Sequence, residues 1–300
     1  MSLMLLDSAS LWYRAYFGMP DTLTSPSGAP VNAIRGFLDM TSRLVLKYRP
    51  NRLVACLEGD WRPSWRVELF PDYKVDRLDD EGQEEEPDTL SPQIPVLLEV
   101  IDALGLPLLG VDDYEADDLI ATLSVTQKGP IRIVTGDRDL FQLVDDQRDV
   151  KVVYLAKGFA NHDLVDLKWI SNKYDIPGDR YALFAMIRGD SSDGLPGIKG
   201  IGEKGAASIA KHFASLPDVI AAAKKEDDRL SANHRKKLLD SIDYALIAPK
   251  LVKCATDVVI PKMDISIPTA PASMKRLSEL KEEYGLGASI DRILNAFGWS

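Results

Sequence analysis

Acidic side chains are the groups in this 300-residue sequence best placed to do chemistry. Three short apolar runs each finish in carboxylates: Leu3 to Leu6 in Asp7, Leu53 to Leu57 in Glu58, and Ile131 to Gly136 in Asp137 and Asp139. Runs of that length read as buried strands, and ligands bind at the carboxyl edge of a parallel sheet, so these four acids should converge. Glu115, Asp117 and Asp118 come from the first turn of an expected helix, with Glu115 and Asp118 on one face. Asp190 and Asp193 follow another helix, in the segment Gly189 to Gly194. Any one of these acids could simply stabilise a helix start through the macrodipole. As a set they would repel one another and resist ionisation unless cations neutralised them. Oxygen donors without His or Cys suit Mg²⁺ or Mn²⁺, and room for two ions suits in-line phosphodiester cleavage.

Other chemistries have little material. Cys56 and Cys254 lie far apart with no His or Cys at metal-ligand spacing, and read as two reduced buried thiols. Only His162, His212 and His234 supply imidazoles, and no G-x-S-x-G sequence exists, which leaves no obvious nucleophile system.

Two segments offer contacts to phosphate. Gly200-Ile201-Gly202-Glu203-Lys204-Gly205 fits G-x-G-x-x-G, but it follows a loop, whereas the dinucleotide fingerprint must follow a strand. A glycine-rich hairpin feeding a helix instead presents backbone N–H groups to a phosphate, with Lys199, Lys204 and Lys211 adding charge. A plain tight turn is the simpler alternative. Lys74 and Arg77 stand three residues apart, so on a helix both would face one phosphate run, with Tyr73 available to stack on a base. Trp61, Trp65 and Phe70 read as packing.

The elements that must position these residues alternate β and α through the first half. Strands are expected at 3–6, 53–57, 106–109, 131–135 and 152–155. Helices are expected from the N-cap Asn32 to about Lys47, from Ser91-Pro92 to Gly105, and from Glu115 through Leu123. After about Asp163 the pattern turns to consecutive helices at 168–174, 181–187, 206–213, 218–223 and 234–248. The expected division is an α/β unit over 1–162 and a helical region over 163–300, with the clamp-like hairpin in 190–213.

Composition is that of a folded chain, with 45% apolar and 27% charged residues. The first apolar run ends at Asp7, too early for a signal-peptide core or a spanning helix, so a cytoplasmic protein is expected. The net charge of −10 would argue against nucleic acid, but eight acids and one base between Asp76 and Asp88 supply −7 of it. That acidic run reads as a solvated, mobile loop. Two bound divalent ions would bring the remaining −3 to about +1.

Six stretches in order resemble the structure-specific 5′ nucleases, the family of flap endonucleases, phage 5′ exonucleases and the 5′-3′ exonuclease domain of bacterial DNA polymerase I. They are LLDSASLWYRAY at 5–16, SGAPVNAIRGFL at 27–38, the W-R then YKVDR pattern at 65–77, YEADDLIATL at 114–123, TGDRDLFQLV at 135–144 and GDSSDGLPGIKGIGEKGAA at 189–207. The resemblance implies a PIN-like core with a mostly parallel sheet, a helical arch at about 70–95 and a helical C-terminal region carrying a helix-hairpin-helix type clamp. It implies that Asp7, Glu115, Asp117 and Asp118 help hold one metal ion and Asp137, Asp139, Asp190 and Asp193 a second. Lys74 and Arg77 would be the arch pair that grips the scissile phosphate, and the 198–205 hairpin the DNA clamp, with a K⁺ ion. Glu58, with Asp60 two residues on, stands where relatives carry Asp.

The implied activity is removal of 5′ flaps and 5′ nucleotides at single-strand/duplex junctions of DNA, RNA-primed ends included. With no room for a polymerase domain, a standalone, monomeric, nucleoid-associated enzyme of replication and repair is expected. The alternatives are a catalytically dead structure-specific DNA-binding protein and a PIN-like ribonuclease, which would not need the GIKGIGEKG clamp.

Overall fold

Leu3, Leu5, Val54, Ile131 and Ile133 pack into one apolar core and Met4, Leu6, Leu53 and Val134 into another, the two-residue period of strands buried on both faces. The computed structural model describes residues 2–79, 82–156 and 161–299. Its six strands are β1 (Leu3–Asp7), β2 (Arg52–Cys56), β3 (Leu108–Leu109), β4 (Ile131–Thr135), β5 (Val150–Tyr154) and β6 (Asp163–Val165), in the order β3-β2-β1-β4-β5-β6. Leu3 lies opposite Arg52 on one side and Ile131 on the other, and every pairing is parallel except β5 with β6.

Around the strands run α1 (Ser8–Gly18), α2 (Asn32–Tyr48), α3 (Ser64–Leu69), α4 (Gln93–Leu104) and α5 (Ala116–Thr126). After β6 come α6 (Leu167–Tyr174), α7 (Tyr181–Arg188), α8 (Glu203–Ala210), α9 (Leu216–Lys224), α10 (Ala232–Asp240), α11 (Ile242–Val252), α12 (Met274–Glu283) and α13 (Gly287–Phe297). One core joins the sheet to α5 and the helices from α6 to α11, the other to α1, α2, α4, α12 and α13. Among the described residues no helix is long and apolar enough to cross a membrane.

Several local expectations are corrected. Asn32 is the first residue of α2 rather than its cap. Its side-chain amide donates to the Tyr16 carbonyl (2.8 Å), while Gln93 Oε1, from the distant start of α4, accepts the Ala33 N–H (2.9 Å). Ser91 does not cap α4, because its hydroxyl donates to Glu86 (2.7 Å). The single helix expected over 234–248 is two, broken at Ser241. No helix carries Lys74 and Arg77: Lys74 has a left-handed backbone (φ 53°), and a short 3-10 turn, Val75–Arg77, follows it.

The acidic run is not simply solvated either. Leu78 pairs with Glu84 in an antiparallel bridge, the Glu85 N–H donates to the Arg77 carbonyl (2.8 Å), and Glu84 and Glu86 line the main cavity. Burial raises the Glu84 carboxyl above its ordinary range, and Arg77 opposes that rise. Asp80 and Glu81 lie outside the described residues.

Candidate active site

Strand order reverses at β1, whose neighbours β2 and β4 lead on to β3 on one side and β5 on the other, and the crevice beyond the strand ends at such a point is a ligand site. A cavity of about 700 Å³ opens there, lined by Asp7, Glu58, Asp60, Glu115, Asp117, Asp137, Asp139 and Asp193, with Lys74 and Arg77 also on its wall. Asp7 ends β1 and accepts from the Thr135 hydroxyl (2.6 Å) and the Ser10 N–H (3.2 Å), which fixes its carboxyl against the end of β4. Glu58 follows β2 and accepts the Ala116 N–H (2.7 Å) at the start of α5. Gly59 permits that approach, since a Cβ there would stand 1.9 Å from the Val111 carbonyl oxygen.

Burial and mutual repulsion set the electrostatics. Burial first, then Asp137, raise the Asp7 carboxyl to about 6 despite the Thr135 hydrogen bond. Burial and Glu115 raise Glu58 to about 8. Asp117 is held well above the ordinary range by burial and then by Asp7, Asp137 and Glu58, and Asp139 by burial, Asp137, Asp193 and Asp190. Asp139 Oδ1 is buried with no hydrogen-bond partner.

The other predicted ligands are occupied. Asp118 is fully buried and forms a two-pronged pair with Arg66 (2.7 and 2.8 Å), while also accepting the Ala255 N–H (2.7 Å). It does not line the cavity; it ties α5 to α3 and to the chain after α11. Glu115 sits between Lys74 (3.0 Å), Arg66 (3.5 Å) and the Tyr73 hydroxyl, which donates to it (2.8 Å). Asp190 is also off the cavity wall. It accepts from Arg138, Arg188 and Ser192, and though burial opposes this, the hydrogen bonds from Ser192 and Arg138 keep its carboxyl below the usual range. Asp193 pairs with Arg77 (2.5 Å).

The basic residues are held too. Burial disfavours the Lys74 ammonium, but Glu115, Asp193 and Glu58 outweigh it and keep the group cationic, and it also donates to the Trp61 carbonyl (3.1 Å). Tyr73 is 3% exposed, so its ring offers no face to a base. Its phenol instead spends itself on Glu115. Arg66, Glu84 and Glu86 were not anticipated as site residues. Arg66 meets Asp118 across 52 positions, which no local spacing signals, while Glu84 and Glu86 fall in the acidic run read as solvated.

Residues 198–202 lie between α7 and α8 and Glu203, Lys204 and Gly205 form the first turn of α8, which starts three residues before the expected Ala206, all away from the cavity wall. Lys199, Gly200, Gly202 and Lys204 are exposed and Gly205 is half-buried, so the backbone and both lysines face outward together. The Gly200 carbonyl accepts from the Lys237 ammonium of α10 (2.7 Å).

Among the described residues, no group of three or more His, Cys, Asp or Glu side chains stands gathered to hold an ion. The chemistry of the donor set still fits one. Asp7, Glu58, Asp117 and Asp139 all carry raised carboxyls on one cavity, and one buried oxygen of Asp139 lacks any donor. A divalent cation would relieve both conditions.

Comparison with known proteins bears on the family and the fold. Residues 2–175 match the family model of the 5′-3′ exonuclease N-terminal resolvase-like domain, and residues 176–275 that of the 5′-3′ exonuclease C-terminal SAM fold. The chain is 49% identical over 296 residues to a 5′-3′ exonuclease of Streptomyces coelicolor, covering 97% of this chain and 98% of that one. It is 41% identical over 308 residues to a 5′-3′ exonuclease of Mycobacterium tuberculosis, covering 98% and 97%. A solved flap endonuclease of bacteriophage T5, in complex with DNA and metal ions, shares the fold with a TM-score of 0.63 at 16% identity, over 99% of each chain.

Proposed function

We propose, for a chain that belongs to the 5′-3′ exonuclease family and is thereby a phosphodiester hydrolase, that its substrate is DNA with a 5′ flap or a 5′ single-strand/duplex junction. RNA-primed 5′ ends belong to the same class. The observation that carries this reading is the cavity at the sheet's switch point, where unpaired carboxylates face a wall that carries Lys74 and Arg77.

Asp7, Glu58, Asp117, Asp137 and Asp139, with Asp193 on the far wall, would hold Mg²⁺ or Mn²⁺. Bound there, such ions supply Lewis-acid polarisation of the phosphoryl oxygen. Thr135 and Ser10 keep the Asp7 carboxylate in one orientation, and the Ala116 N–H does the same for Glu58. Lys74 and Arg77 meet the negative charge of the scissile phosphate, with Glu115 and Asp193 holding the ammonium and the guanidinium in place until it arrives. The hairpin holds the duplex through backbone N–H groups, Lys199 and Lys204. The enzyme works as a monomer on nucleoid DNA in the cytoplasm.

The test is a 5′-labelled flap substrate incubated with Mg²⁺, with Mn²⁺ and with EDTA. Cleavage at the junction and short 5′ products are expected with either metal, and none with EDTA. Tight binding without cleavage under all three conditions would instead make the chain a structure-specific DNA-binding protein. Preference for a structured RNA over the DNA flap would make it a ribonuclease.

A further inference from the structure

We propose that Lys237 supplies the cation of the 198–205 hairpin, so that this chain grips duplex DNA without a bound K⁺. A monovalent ion at a backbone hairpin takes carbonyl oxygens as ligands, and each hydrogen bond that a carbonyl accepts leaves it one lone pair fewer to offer. Here the Ile198 carbonyl closes the turn with the Ile201 N–H (2.8 Å), and the Gly202 carbonyl accepts from the Ala206 N–H (2.9 Å) at the start of α8. The Gly200 carbonyl, at the head of the turn, takes the Lys237 ammonium at 2.7 Å.

The contact lies at the surface, and the lysine stem is seated against the hairpin. Gly200 has φ +80°, a conformation that suits glycine, and a Cβ there would meet Lys237 Cε at 3.2 Å and Nζ at 3.3 Å, so the stem crosses the bare Cα. Helix α10 is fixed against the same hairpin. A Cβ on Gly205 would meet His234 Nε2 at 3.4 Å, and the Lys199 N–H donates to Ser241 Oγ (3.3 Å) just beyond the helix. An ammonium is a compact point charge close to K⁺ in size, with three protons to donate to oxygens. Set on a hairpin carbonyl it offsets the carbonyl dipole and leaves positive charge beside the N–H groups that would face phosphate.

The inference rests on reading the hairpin as a phosphate clamp, and the experiment separates the two. Wild type and Lys237→Met are compared in KCl and in NaCl at equal ionic strength. Two quantities are measured: the melting temperature without DNA, and the affinity for a flap duplex with Ca²⁺ in place of Mg²⁺. Wild type should melt alike and bind alike in the two salts. Lys237→Met should lose on the order of tenfold in affinity in NaCl, regain part of it in KCl, and melt higher in KCl than in NaCl. A wild type that melts or binds better in KCl overturns the proposal, because the hairpin would then be recruiting the ion. So does a Lys237→Met protein weakened equally in both salts, which would make the lysine an ordinary phosphate contact. If that variant fails to fold, the wild-type comparison still decides. No duplex binding by wild type would instead overturn the clamp reading, while the melting comparison would still report on the cation.

Discussion

Asp117 and Asp118 are adjacent in the sequence and do opposite work. Asp117 faces the cavity among like charges, so Asp117→Ala, and equally Asp139→Ala, should abolish cleavage while leaving the melting temperature of the metal-free protein level or raised. Near-normal turnover in either variant would remove them from the proposed metal site. Asp118→Ala takes the two-pronged partner from the buried Arg66 guanidinium and leaves it only Glu115 at 3.5 Å, and should cost about 3 kcal/mol in denaturant unfolding, the low end for breaking a buried pair. A loss below about 1 kcal/mol, as for surface pairs, would contradict that structural role. Both residues read alike as ligands in the sequence, since what divides them is an arginine on another helix.

The same scale fixes a pH dependence. Glu58 titrates near 4.5 when unfolded and at about 8 when folded, and Asp7 near 3.8 and at about 6. Across those intervals the native state binds more protons than the unfolded state, so stability must fall as pH rises. The melting temperature of EDTA-treated protein should therefore decline from about pH 4.5 towards about pH 8, and added Mg²⁺ should flatten the decline. A curve that climbs across that interval without metal would contradict the assignment.

At the scale of elements, legibility followed periodicity. β4 fell at its expected residues because Ile131, Ile133 and Val134, interrupted by Arg132 and bounded by turn residues, leave little choice, and Gly105 ended α4 through its left-handed φ of 73°. Where side chains from elsewhere in the chain decided the outcome, the sequence was silent. Gln93 caps α2 in place of Asn32, and the contacts of Lys74 and Arg77 with Glu115 and Asp193 hold their segment in a turn that helical spacing could not reveal. The turn at 198–202 was legible because glycine spacing and flanking lysines are local features, although α8 takes up Glu203 to Gly205 as its first turn. Its contacts are sequence-blind, so the Lys199→Ala/Lys204→Ala double variant should weaken binding about equally for all duplex sequences and reduce the log-log salt slope by roughly two units. Cleavage at saturating DNA should be unchanged. A salt series with an unaltered slope would reduce the hairpin to a turn between helices.

The whole molecule is closed by a part of the chain for which the sequence reading had no element. β3 is only two residues long, which leaves the start of β2 without a neighbour on that side. The segment after α11 returns to cover it: the Leu53 N–H donates to the Ile265 carbonyl (3.0 Å), the Ile267 N–H donates to the Asn51 carbonyl (3.1 Å), and Arg52 bridges Ser266. An edge so covered cannot template pairing with another chain. α12 and α13 then pack in the core with α2 and α4, where Arg292 grips Asp39 (2.8 and 2.9 Å) and Arg276 grips Glu99 (2.6 and 3.0 Å). Leu277, Leu280, Leu286, Ile290, Ile293 and Leu294 are all buried there. At roughly 1.5–3 kcal/mol for each buried aliphatic side chain, that set rivals the about 5–15 kcal/mol net stability of an ordinary domain. A chain ending at Lys253 should therefore lose near-ultraviolet circular dichroism and resistance to proteolysis, even though every proposed metal ligand lies before that point. Leu280→Ala, which keeps the chain whole, should cost about 2–5 kcal/mol with the cavity residues untouched. If the shortened chain melted like the intact one, the C-terminal helices would be an appendage rather than half of the second core.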